Sequence, residues 1–379
     1  MKKILLLSFI GLATGLCTQA QDTTKAEIKP SGKVWGYVFG DYYFKVHADS
    51  ALRGNGITEY SGLKENSNAF AIRRAYLGYD YNISEKLSTE LLLSHEANVD
   101  ASNNRTVFIK AANLRIKKIF GHTDLVIGHM STPTFSLLEE KVWGFRSVEK
   151  TIVDQRKLAS SSDLGVALQG KFDEKGNYGY DLMAANGSST KLETDQFKRF
   201  YGDLYAKFLD KKLILNVYGD VERSQLQPYH KSKMTFKAFA AYQSAPVTIG
   251  VTYVMQTQEN YAIYAPDATS PVDTNDISVS GLSAFVSGPI IKDKLNFFAR
   301  YDMYNPDNNY SADYIYVAGS NPVEETFITA GVDWLCNKNV HIIPNVWYNG
   351  YKSRAKNASG KIESDYDLVP RVTAYFIFK

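Results

Sequence analysis

The chain has little cysteine, little proline and almost no net charge. Of its 379 residues two are Cys and 11 are Pro. Cys17 falls in an N-terminal stretch, M-K-K-I-L-L-L-S-F-I-G-L-A-T-G-L-C, where Lys2 and Lys3 precede an apolar run. Thr18-Gln19-Ala20 then supplies a small-x-small cleavage pattern. Residues 1–20 read as a secretory signal peptide and take no part in the fold. Once Cys17 leaves, Cys336 stands alone and no disulfide framework is possible. Without Lys2 and Lys3, 41 bases face 40 acids. No concentrated basic face exists, so a nucleic-acid partner is not expected. No apolar run of about 18 residues follows the leader, which excludes a transmembrane helix.

Aromatics are abundant. The chain carries 26 Tyr and 20 Phe, a composition that favours strands. An exported, near-neutral, aromatic-rich chain leaves two main classes, a secreted all-β protein or an outer-membrane barrel.

Period-2 alternation separates them. Sixteen alternating segments are found: 33–45, 69–81, 86–96, 105–117, 123–131, 163–172, 177–186, 199–208, 212–222, 234–243, 246–257, 278–287, 293–304, 326–335, 339–351 and 366–379. An even number of strands of about ten residues is the mark of a bacterial outer-membrane barrel. The connections alternate strictly: eight long gaps of 8 to 31 residues, separated by turns of two to five. Short periplasmic turns and long outer loops are the asymmetry such barrels require. The expected architecture is one 16-stranded antiparallel transmembrane β-barrel over 33–379, preceded by a periplasmic segment at 21–32. A secreted β-sandwich has no reason to keep that asymmetry.

The alternation also assigns faces. In 293–304, Leu295, Phe297, Ala299, Tyr301 and Met303 oppose Asn296, Arg300 and Asp302. Charge on a lipid face costs about 2–4 kcal/mol near the midplane, so the charged face must line the interior. The predicted pore wall includes Arg74, Asp80, Glu90, Lys207, Asp220, Lys237, Arg300, Asp302 and Arg371. Arg73 falls on the apolar face of its strand and is expected at the outer rim, snorkelling to water. A slip near 111–113 suggests a bulge. Pro344 and Pro370 lie inside strands and are expected at bulges or near strand ends.

The alternation stops for 31 residues at 132–162, the third outer connection. A loop this long is functional or disordered, and its aromatic and aliphatic anchors argue against disorder. It is expected to fold into the pore and narrow it. Glu139, Glu140, Lys141, Arg146, Glu149, Lys150, Asp154, Arg156 and Lys157 are the candidate constriction charges, a mixed set facing a water-filled lumen. The bland alternative is that they fix the loop by salt bridges. Trp143 and Phe145 are expected to anchor it to the wall.

Several segments resemble one family. G-H-M-S-T-P-T-F (128–135) is similar to the Gly-x-x-x-Thr-Pro-x-Phe end of the fifth strand in porins of the phosphate-selective O/P type, especially their Bacteroidetes relatives. W-G-F-R-S-V-E-K-T-I-V-D (143–154) resembles the loop that follows there. S-S-S-D-L-G-V-A-L-Q-G-K (160–171), N-G (186–187), R-R-A-Y-L-G-Y-D-Y (73–81) and the terminal A-Y-F-I-F-K also look similar. The resemblance implies a sixteen-stranded barrel in the outer membrane of a Gram-negative bacterium, assembled as a homotrimer in outer-membrane lipid. It implies that barrel-assembly machinery reads the last strand through Phe378. Phosphate-selective members line the pore with Arg and Lys, whereas both signs face inward here, so phosphate selectivity is not expected.

The expected function is passive diffusion of small hydrophilic solutes or ions, without cofactor, metal or catalysis. The alternatives are a barrel enzyme, for which His129-Met130-Ser131 is the segment considered, and a plugged structural or adhesin barrel. The six histidines show no zinc-ligand spacing. Asp307, Asn309, Ser311 and Asp313 alternate like a calcium loop but lack the glycine and the terminal acid of an EF-hand, and read as a polar loop.

Overall fold

The computed structural model describes residues 29–54, 59–225, 230–267, 269–356 and 359–378. The expected leader at 1–20 and Lys379 lie outside them. The strands are β1 (Ser31–Phe44), β2 (Asn68–Asn82), β3 (Leu87–His95), β4 (Phe108–Phe120), β5 (Thr123–Ser131), β6 (Ser162–Lys171), β7 (Tyr178–Ala185) and β8 (Arg199–Phe208). They continue with β9 (Leu213–Gln225), β10 (Lys231–Gln243), β11 (Thr248–Ala265), β12 (Asp273–Ile291) and β13 (Leu295–Asn305). The last four are β14 (Ile315–Ala318), β15 (Val323–Asn337), β16 (Val340–Lys356) and β17 (Ile362–Phe378).

Each wall strand pairs antiparallel with the next, and β1 pairs with β17 to close the sheet. β13 pairs directly with β15. The short β14 is an outer-loop strand that adds to the tip of β11. The result is a closed barrel of sixteen strands with almost no helix. Closure leaves no wall strand with an unpaired edge, the condition for crossing lipid without stranding backbone polar groups.

All sixteen expected segments are strands. The largest difference is at β11 and β12, which run to Ala265 and from Asp273, beyond the expected ends at 257 and 278. Past a register shift the ladder resumes with Ala262 opposite Asn275. The register shift breaks the period there, although Ala262 and Ile277 still pack into the loop's apolar cluster.

The bulges re-aim side chains. Phe39 of β1 pairs with Arg74 and Gly40 with Ile72, so Arg73 is an extra residue. Arg73 therefore turns inward and is 4% exposed, as is Arg74. The rim position expected for Arg73 is corrected: a bulge puts two consecutive residues on one face. The slip near 111–113 is a bulge too, with Leu92 opposite Ala111 and Leu93 opposite Ile109. Pro344 sits at no bulge. The β15–β16 register is unchanged around it, and only the pairs between Gly331–Asn345 and Trp334–Ile342 are missing. A residue without N–H removes ladder bonds without moving the register. Pro370 lies one residue past Arg371, where the β1–β17 ladder ends.

Polarity is inverted relative to a soluble protein. Buried groups include Asp41, Arg199, Asp220, Lys237, Arg300, Asp302 and Arg371, while Leu77, Leu91, Leu182, Leu204, Val217, Val251 and Val372 are exposed. Phe120, Phe172, Tyr178, Phe208, Tyr242 and Trp334 project outward close to the short turns. That is where an aromatic girdle meets the headgroups.

Candidate functional site

The third outer loop runs from β5 to β6 and folds inside the barrel. It contains two short helices, α1 (Glu139–Trp143) and α2 (Ile152–Gln155). Gly144 ends α1 in the left-handed region at φ 72, and its N–H donates to the Glu140 carbonyl at 3.0 Å. The helices are too short to hold themselves in water, so the wall must hold them.

Apolar contacts do part of this. Trp143 is 1% exposed, with its ring 5.1 Å from Phe285 and 6.2 Å from Phe298. Phe145 lies 4.5 Å from the ring of Phe298. Phe135, Ile152, Val153 and Leu158 pack on Val254, Ile277 and Val279 of β11 and β12. The inner wall thus carries apolar patches that receive the loop, besides a separate apolar cluster of Val126, Met130, Ala167 and Met183 on β5–β7.

The nine candidate charges divide into three groups. Three are pinned to the wall. Glu139 pairs with Lys237 at 2.9 Å and accepts from the Thr252 hydroxyl at 2.8 Å. Glu149 accepts from Trp347 Nε1 at 3.1 Å, and its backbone carbonyl accepts from Trp143 Nε1 at 2.9 Å. Arg156 pairs with Glu325 at 2.5 Å, donates to Asn349 at 3.1 Å and lies over the Tyr304 ring. These charges fix the loop and do not face open water.

A second group is paired within the loop. Arg146 bridges Glu140 and Asp154, the latter at 2.8 Å. Burial pushes the Glu140 carboxyl up in spite of Arg146 beside it. For Asp154 burial acts the same way, but Arg146 and Lys150 outweigh it and hold the carboxyl down. The third group is lysine. Lys150 and Lys157 line a cavity on the outer side of the loop, and Lys141 is exposed.

The predicted wall residues fall into place around this loop. Arg300 pairs with Asp302 and donates to Gln155 at 3.1 Å. Arg371 donates to the Val148 carbonyl at 3.0 Å. Asp220 pairs with Arg199 at 2.8 Å. Glu90 accepts from Asn113 at 3.0 Å. Lys207 lines an inner cavity. Asp80, near the end of β2, is exposed.

Sequence reasoning missed a clamp between the first and third outer loops. Arg73 donates to the carbonyls of Ser147 at 2.9 Å and Val148 at 3.0 Å and pairs with Glu59 at 2.6 Å. Glu59 also pairs with Arg74 at 2.6 Å. Arg371 donates to the Tyr60 hydroxyl at 3.0 Å. The doublet Arg73-Arg74 was the available signal, since two adjacent arginines share a face only at a bulge. Glu59 and Tyr60 sit in a polar gap with no pattern. Arg199, which also donates to the Leu158 carbonyl at 3.4 Å, shares inward parity with Asp203 and Lys207.

The loop leans on the wall from β9 round to β2, and two polar cavities lie on the other side, toward β4–β8. The outer one, about 500 Å³, is lined by Glu96, Lys110, Lys150, Lys157, Ser161 and Lys191 among others. The inner one, about 800 Å³, includes Arg115, Leu138, Asp181, Asp203 and Lys207. His129, weighed as a catalytic base, has Nε2 at 3.1 Å from the Ser189 carbonyl. The carboxylate of Asp307 is occupied within its own loop region, accepting from Ser320 at 2.6 Å and from the Asn309 amide at 3.0 Å.

No family model matches the chain, and no curated protein does. Solved structures do match. The anion-selective porin from Comamonas acidovorans has TM-score 0.61 at 11% identity, over 92% of this chain and 100% of that one. The outer membrane channel DcaP of Acinetobacter baumannii has TM-score 0.61 at 15% identity, over 93% and 99%. OmpT, an outer membrane protein of Vibrio cholerae, has TM-score 0.58 at 12% identity, over 94% and 100%. At these identities the likeness is one of fold: a porin-type, closed sixteen-stranded barrel of the kind found in the outer membrane.

Proposed function

We propose that the protein is a diffusion channel of the Gram-negative outer membrane, passing small hydrophilic solutes and ions. One observation carries this reading: the third loop is fastened to one side of the lumen, and polar cavities of about 500 and 800 Å³ lie on its outer and inner sides.

The three charge groups give the expected preference. Glu139, Glu149 and Arg156 are occupied by the wall. The Glu140–Arg146–Asp154 triad carries one net negative charge, against two positive charges on the exposed Lys141 and the cavity-lining Lys150. The loop's water-facing charge is therefore modestly positive, and a weak preference for anions follows. Inward arginines such as Arg74, Arg300 and Arg371 each have an acid within 4 Å. They form no ladder of open cations, so specific phosphate transport is not part of this reading. The segments at 128–135 and 143–154, placed at the end of β5 and in the loop after it, support membership of the O/P-like porins. Homotrimer assembly and insertion through the terminal Phe378 belong to the same proposal.

The test is the reversal potential of the refolded chain in a planar bilayer across a KCl gradient. The expected result is an ohmic conductance with a modest anion preference that falls in Lys150→Glu. Zero conductance would establish a plugged barrel and reject the channel. Conductance lost with an enzymatic activity on mutating His129 would favour the barrel-enzyme alternative.

A further inference from the structure

One row of inward side chains below the loop is not used by the reading above. Asp124 on β5, Gln169 on β6, Asp181 on β7, Asp203 on β8, Tyr218 on β9 and Lys237 on β10 are successive cross-strand partners. The ends of the row are neutralised: Asp124 by Arg115 at 3.0 Å and Lys237 by Glu139 at 2.9 Å. The middle is not. Asp181 and Asp203 are 4% and 7% exposed, stand directly opposite one another, and take their hydrogen bonds from neutral amides. Gln169 Nε2 donates to Asp181 Oδ2 at 2.7 Å, and Asn216 Nδ2 donates to Asp203 Oδ1 at 2.7 Å.

A second observation is independent of the carboxylate pair. Asn216 is 4% exposed and its Oδ1 is buried without a hydrogen-bond partner, on the same carboxamide that holds Asp203. Asp181 Oδ1 is likewise buried and unpartnered. Directly opposed residues have Cβ atoms about 4.5–5.5 Å apart, so two ionised carboxylates here repel strongly. Asp181 Oδ1 and Asn216 Oδ1 have no donor, and buried oxygen acceptors of one sign favour a positive ligand.

We infer that Asp181, Asp203 and Asn216 form a binding site for a hydrated divalent cation of the magnesium class on the inner wall of the barrel. The donors are all hard oxygens, and two carboxylates balance a double charge. Among the described residues no third acid or histidine joins them in a metal-binding group. That suits a cation which keeps several waters and takes one or two carboxylates, rather than one caged by six to eight protein oxygens. Both aspartates line the inner cavity, which gives room for the retained waters. Arg115 and Lys237, the nearest cations along the row, are already committed to Asp124 and Glu139 and do not compete for the site. The site does not depend on conduction.

Mn²⁺ shares the hard-oxygen preference and is paramagnetic, which makes it the probe. The refolded chain in detergent, free of lipopolysaccharide, is titrated with MnCl₂ at pH 8 and free Mn²⁺ is read by electron paramagnetic resonance. The expected result is one Mn²⁺ bound per chain, displaced by MgCl₂. Outer-shell changes alone weaken metal sites about 10–100-fold, so Asp181→Asn and Asp203→Asn should each lower affinity by more than about tenfold. Asp333→Asn, on β15 and paired with His341 away from this row, should leave it unchanged. Absence of bound Mn²⁺ in the wild-type chain overturns the inference, as it would if the two aspartates instead shared a proton. Binding unchanged in both aspartate variants also overturns it. The wild-type titration decides the matter even where a variant does not fold.

Discussion

Replacing Glu139 by Ala should loosen the third loop without unfolding the barrel. The Glu139 and Lys237 side chains are 2% and 1% exposed. Removing one partner of a buried ion pair costs about 3–5 kcal/mol, because the other charge is left uncompensated. The lost Thr252 hydrogen bond adds about 1 kcal/mol. Lys237 has an escape that a core lysine lacks: if the start of the loop lifts away, lumen water can hydrate its ammonium. The penalty therefore falls on loop docking. At about 1.4 kcal/mol per factor of ten, the undocked population rises by about three to four powers of ten. Two measurements check this. Trypsin should cut the variant at the loop lysines much faster than the wild type, and single-channel current should become noisy. The double variant Glu139→Leu with Lys237→Met removes both charges and should recover a quiet current. The reasoning is refuted if Glu139→Ala matches the wild type in both assays, or if the double variant is no better than the single one.

Trp143→Ala should cost about 3–5 kcal/mol of the same docking, since a large buried ring leaves a cavity against Phe285 and Phe298; the protease assay reads it, and rates within a factor of two of wild type would contradict it. The pH response should come from Glu140. Its folded carboxyl is raised by burial, so its contribution to docking is present at low pH and is lost as pH rises through the folded value. Asp154 is held down, so its contribution is present above about pH 4, the ordinary carboxylate range, and is lost only as pH falls through a lower value. On acidification Glu140 therefore neutralises first, and anion preference should rise. Reversal potentials measured from pH 8 downward should show this step in the wild type and not in Glu140→Gln.

Much of the fold was legible because a barrel wall imposes one rule, alternate faces, on every strand. The same rule says nothing about which inward charge meets which. Glu139, Glu149 and Arg156 look like pore-lining charges in sequence and are in fact held by Lys237, Trp347 and Glu325, each roughly 100 to 200 residues away. Arg73 was misplaced because a bulge changes the parity of a strand at one residue, and only the ladder shows it. The tips of β11 and β12 were unreadable for a different reason: the register shift between Gln258 and Ala262 interrupts the alternation. The loop's apolar anchors were readable because burying Trp143 or Phe135 is favourable wherever the chain can reach a dry surface.

The strand lengths have a consequence for how solutes arrive. β11 and β12 have 18 and 19 residues, while β7 has 8 and β3 and β5 have 9. At about 3.3 Å per residue the longest strand exceeds the shortest by roughly 35 Å along its own axis. The mouth is therefore cut on a slant, with a tall back and a low lip. The low lip lies on the β3–β8 side, where the outer cavity opens beside Lys191. In the channel proposed above, a solute drifting parallel to the membrane would enter over that lip, while one approaching from the far side would meet a parapet first.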